Sequence, residues 1–139
     1  MKDFKADINI SEEKTSYQFN HNLLLISLII LIVIGSTYYW ADERNEFFEP
    51  FWMIVLSIWY VVIGVSLFLV FRKMKMGYGM AGILAWITIA FWMFDNFHIV
   101  FEISFIASKP NLFIVIKNFT GVIIAGLAVF SSHNAFHKI

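Results

Sequence analysis

Residues 92–102 read Trp92-Met93-Phe94-Asp95-Asn96-Phe97-His98-Ile99-Val100-Phe101-Glu102. Three titratable side chains stand among large apolar ones. Spacings of three and four residues put Asp95, His98 and Glu102 on one helical stripe, which Thr88 and Phe91 continue towards the chain's earlier turns. The surrounding residues suit lipid. An ionisable group at bilayer depth costs about 2.5 to 3.5 kcal/mol, so the stripe must turn into a helix bundle, a partner or water.

Composition places the whole chain in the same solvent. With 60% hydrophobic and 14% charged residues among 139, it lies far from the balance of a soluble domain and reads as a membrane protein. Sixteen Phe, five Trp and five Tyr suit lipid contact, interfacial anchoring and packing against partner helices. The absence of cysteine excludes disulfides, thiolate nucleophiles and sulfur-ligated clusters. A net charge of zero and the lack of a basic run interleaved with aromatics argue against nucleic acid as a partner.

Crossing about 30 Å of hydrocarbon takes roughly 20 apolar residues. Four runs qualify, at about 22–40, 50–71, 78–107 and 111–130. The expectation is an all-α integral membrane protein with four transmembrane helices in an up-down-up-down bundle, because the connections are short. A polar segment, 1–21, precedes the membrane domain (22–131), and a short tail, 132–139, follows it. Residues 1–20 are too long and too mixed in charge for a signal peptide, and no small-residue cleavage pattern follows, so the first span is expected to be retained. Pro50 and Pro110 stand where spans two and four should begin, a position that tolerates proline's missing donor.

Lys2, Lys5, Lys14, Arg72, Lys73, Lys75 and Lys138 fall on the side of the termini and second loop, against Arg44, Lys109 and Lys117 on the other. The positive-inside rule then makes both termini cytoplasmic. The first loop, 42–49, becomes an acidic outer patch, with Tyr38, Tyr39, Trp40 and Trp52 as an interfacial belt. Arg72-Lys73-Met74-Lys75 reads as a topology determinant with a secondary affinity for anionic headgroups.

A partner for the stripe follows from counting outward from the last turn. Glu102 precedes Lys109 by as many residues as Lys117 follows Pro110, so an antiparallel hairpin pairs Glu102 with Lys117, roughly 10 Å from the turn. Thr120 and Gly121 would then face His98. Asp95 is left deepest, satisfied by a neighbour, by protonation or by another subunit, and Asn96 and Asn118 could add interhelical hydrogen bonds.

Asp95 and His98 also suit a metal, with the remaining ligands drawn from another chain. A di-iron bundle needs paired Glu-x-x-His elements, of which this sequence holds at most an imperfect half. His21, His133 and His137 gather near one end as a second set of candidate zinc or copper ligands. A bis-histidine haem is not expected, because only His98 lies well inside a span, and the six methionines read as packing. No cofactor bound by this chain alone is expected. Met76-Gly77-Tyr78-Gly79-Met80-Ala81-Gly82 lacks the strand and Lys-Ser/Thr of a phosphate loop. Small residues at Gly82, Ala85, Ala90, Gly121, Ala125, Gly126 and Ala128 allow close helix approach instead.

In length and span count the chain is similar to the small membrane subunits that surround the catalytic chains of respiratory complexes and of copper-dependent membrane monooxygenases such as ammonia and methane monooxygenase. That similarity implies an accessory, non-catalytic role among other membrane subunits, and no site residue. Two other readings compete: a small homo-oligomeric proton or ion transporter using Asp95 and His98, and a contributor of ligands to an intersubunit metal site. Spans one and two carry few polar groups beyond Ser27, Ser36, Thr37, Ser57 and Ser66, so no continuous pathway is visible.

Overall fold

The computed structural model describes the backbone of residues 2–40, 49–101 and 112–139, and the side chains of 6–39, 53–97, 101 and 112–139. Four long apolar helices pack as one all-α bundle: α1 (Lys2–Trp40), α2 (Glu49–Phe71), α3 (Lys75–Val100) and α4 (Leu112–Phe136). Each is long and apolar enough to cross a membrane. The helix bounds differ from those read off the sequence in three places. The polar segment ahead of span one is itself helical, since α1 runs unbroken for 39 residues. Its sequence contains no proline, and glycine only at Gly35. At the other end of the chain α4 continues past Phe130 to Phe136. Helix α3 begins at Lys75, ahead of the expected 78, and runs to Val100, with Phe101 bonding back to the Phe97 carbonyl; the expected stretch to 107 lies outside the described residues.

Among the described residues the most extensive seams are α3 on α4 and α1 on α4, followed by α2 on α3. Helix α4 makes its close approaches with small residues. Its buried stripe is Ile114, Asn118, Gly121, Ala125, Ala128, Ser131, Ser132 and Ala135, which lets neighbouring backbones come near. Two glycines receive indoles: a Cβ on Gly121 would overlap the Trp92 ring, and one on Gly35 would sit 2.8 Å from Cζ3 of Trp59. The core between these seams is Leu24, Leu28 and Leu31 of α1, Ile63 and Val70 of α2, and Tyr78, Ala81, Leu84 and Ala85 of α3.

The turn between α2 and α3 closes as a Schellman motif. Met74 N–H donates to the Leu69 carbonyl at 2.9 Å and Lys73 N–H to that of Val70 at 2.8 Å. Lys73 takes the left-handed conformation that this motif requires, with φ 56°.

Depths follow from helical rise. Between Lys75 and Asn96 α3 climbs about 32 Å, and from Pro50 to Phe71 α2 covers about the same. Both lengths match a hydrocarbon core of about 30 Å. The bundle therefore has two polar rims one hydrocarbon thickness apart. One carries Ser16, Tyr78 and Lys138, the other Asp95, Asn96 and Asn118. Helix α1 overhangs the first rim by about 20 Å, from Thr15 back to Lys2.

Candidate functional site

The polar stripe of α3 reaches its neighbours through amides. Asn118, with no exposed surface, donates from Nδ2 to Asp95 Oδ2 at 2.7 Å and to Asn96 Oδ1 at 2.9 Å. Asn96, also buried, donates from its own Nδ2 to the Val115 carbonyl at 3.4 Å. The two oxygens that Asn118 faces fix the orientation of its amide, because the flipped form would set oxygen against oxygen. Its Oδ1 is then buried with no hydrogen-bond partner. The α3/α4 hairpin is thus clasped by one carboxylate and two carboxamides. An amide N–H donated to a carboxylate is a charge-assisted hydrogen bond, so the clasp stabilises Asp95 at this membrane boundary.

The residues expected to pair further out are only partly described. Glu102, Lys109, Pro110 and the His98 side chain lie outside the described residues, as do the loop 42–48 and the side chains of Trp40 and Trp52. The Nζ of Lys117 lies 5.9 Å from the centroid of the Trp92 ring. Thr120 is exposed and bonds back to the Ile116 carbonyl, while Gly121 lies under Trp92.

Near mid-depth, Trp59 Nε1 donates to Thr88 Oγ1 at 2.9 Å, and that hydroxyl donates to the Leu84 carbonyl at 2.8 Å. Thr88 is buried, whereas Phe91, placed on the same stripe by the sequence, is exposed. The stripe has this split because the buried face of α3 runs from Tyr78 through Ala81, Ala85 and Thr88 to Asn96 and leaves Phe91 outside it.

At the other rim three helices meet on Tyr78. Its hydroxyl is 2.6 Å from His21 Nδ1 and 2.8 Å from the Tyr17 hydroxyl, and its carbonyl accepts from Ser132 Oγ at 2.6 Å. The rings of Tyr17 and His21, four residues apart on α1, stack at 5.9 Å. Asn134 Nδ2 and Asn20 Oδ1 stand 3.5 Å apart, and Lys138 Nζ donates to Ser16 Oγ at 2.5 Å. His21 is therefore buried against Tyr78, while His133 and His137 are exposed and face each other at 4.4 Å. The three histidines do not converge. Among the described residues no group of three His, Asp or Glu side chains is placed to hold a metal ion.

Sequence reasoning passed over the Tyr17–Tyr78–His21 cluster and the Trp59–Thr88 bond. The first had a signal, since Tyr17 and His21 share a stripe and Tyr78 opens span three at the same rim. Set against protein-family models, curated proteins and solved structures, the chain matches none.

Proposed function

We propose that this chain is an accessory, non-catalytic subunit that stabilises a larger multi-subunit membrane complex through its helices, with α2 as the docking element. One observation carries the reading. Helix α2 is the least buried of the four, and Ile54, Ile58, Val61, Val65 and Phe68 stand exposed along it at alternating spacings of four and three. That spacing is the seam of a packed helix pair. Ser57 and Gly64 are exposed on the same helix, and a Cβ on Gly64 would meet nothing within 4 Å. Within the bundle the comparable notches at Gly35 and Gly121 are filled by indoles. An open notch beside β-branched ridges is what close helix association in lipid uses.

The inner polar groups fit this reading, because they join helices of this chain to one another. The proposed arrangement is up-down-up-down, with both termini and the α2–α3 turn on the cytoplasmic side, as the distribution of Lys and Arg favours. Hosts of the kind that suit a subunit of this size are respiratory and copper-dependent monooxygenase complexes.

Native electrophoresis of gently solubilised source membranes, with mass spectrometry of the band containing this chain, tests the proposal. Comigration with larger subunits is expected. Filling the notch with Ser57→Leu and Gly64→Ile should release the chain from that band while leaving its own thermal stability within about 0.5 kcal/mol, as for substitutions away from packed contacts. A chain that runs alone, as a monomer or homo-oligomer, would overturn the accessory role.

A further inference from the structure

We infer that the rim formed by the α2–α3 turn and the end of α4 is a seat for the phosphodiester headgroup of an anionic phospholipid, held by Lys73 and Lys75 beside Lys138. The inference rests on the membrane placement of the bundle and is independent of the accessory role.

The first observation concerns Lys73. Its φ of 56° lies in the left-handed region, where glycine is the usual residue at this position of a Schellman turn. A side chain there strains the backbone, and such strain persists mostly where the residue serves a function. Lysine at this position places a cation at the tip of the turn, with Arg72 before it and Lys75 after it, all exposed.

The second observation is where the cations lead. Lys75 Nζ lies 4.7 Å over the Phe136 ring of α4, and Lys138 Nζ reaches the Ser16 hydroxyl of α1. A ring and a hydroxyl orient these ammonium groups without neutralising them. The described carboxylates nearest this rim along α1, Asp7, Glu12 and Glu13, belong to the overhang beyond Ser16. His137 stands 5.8 Å from Phe136, adding a polar ring to the same edge.

The third observation selects a lipid over a free phosphate. Phe71, Met74 and Met76 alternate with the cations and are exposed. At the level of a headgroup layer, one hydrocarbon thickness from the Asp95 and Asn118 rim, they are placed for the glycerol and upper acyl chains while the lysines take the phosphate. Juxtamembrane cations of this kind bind anionic leaflets.

The test uses the full chain in nanodiscs of phosphatidylcholine doped with phosphatidylglycerol, and reads the ratio of the two lipids that stay bound after detergent extraction. Wild type should retain phosphatidylglycerol in preference. Lys73→Gly should lower that preference about fivefold without lowering the thermal midpoint, since glycine suits the backbone there. Lys73→Arg should keep the preference, and Lys14→Gln, on the overhang, should not change it. An unchanged ratio in Lys73→Gly overturns the seat. Displacement of bound phosphatidylglycerol by millimolar inorganic phosphate would make it a plain phosphate site and overturn the lipid assignment. Variants at Ser57 and Gly64 leave this ratio untouched, so failure here is separable from failure of the docking reading.

Discussion

The Trp59–Thr88 bond shows what lipid demands of a single side chain. An indole N–H near mid-depth finds no water, so without Thr88 it would lack an acceptor. Thr88→Val should therefore destabilise the bundle by about 1 kcal/mol in a detergent or bilayer unfolding assay, and Thr88→Ser should restore most of that. In the double variant Trp59→Phe with Thr88→Val the loss should be smaller than the sum of the single losses; additive losses would show that the bond contributes nothing. At this scale the sequence offered Asn96 and Asn118 as formers of interhelical hydrogen bonds, and the structure joins them to each other. Asp95 was expected to be satisfied by a neighbour, by protonation or by another subunit. That Asn118 is one such neighbour was not legible, because the relative register of α3 and α4 is not written in the sequence. Thr88 was on the stripe, yet its partner is an indole on a mostly apolar helix, where the one N–H of Trp59 does not stand out from the aromatic ring that carries it.

Among the elements, α4 is the one whose sequence declared its packed face. Gly121 and Ala125 mark a close approach, and the structure extends that stripe through Ala128 to Ala135. What fills the space over Gly121 was not legible, because an aromatic ring about four turns into span three carries no mark of the direction it points. Gly121→Val should drive Trp92 out of its notch and loosen the α3/α4 hairpin by roughly 1 to 3 kcal/mol, the usual cost of overpacking. Trp92→Leu in the same chain should recover part of the loss, and no recovery in the melting midpoint would mean that the indole is not the obstacle. For α2 the heptad-like row from Ile54 to Phe68 was present in the sequence but unreadable as an outer face, since the helix is apolar on every side. Only its packing shows which side is open.

At the scale of the molecule, the two rims fix how the bundle meets a bilayer, and the direction in which it is inserted is open to a direct experiment. The chain has no cysteine, so one introduced thiol is a unique reporter. In right-side-out membranes a membrane-impermeant maleimide should label Glu46→Cys and spare Lys73→Cys until the membrane is permeabilised. The reverse pattern would invert the proposed orientation. The number of spans was legible from apolar run length, and four helices of that length and character are present. The overhang of α1 was not, because residues 2–20 are polar and of mixed charge, and the sequence reading stopped where the apolar run began. Helix α1 also has a mechanical character: with no proline and a single glycine it is one stiff rod that crosses the rim without a joint. A load on the overhang near Thr15 would be delivered, without slack and about 30 Å away, to the point where Gly35 meets Trp59, which makes the overhang a handle on the α1/α2 seam.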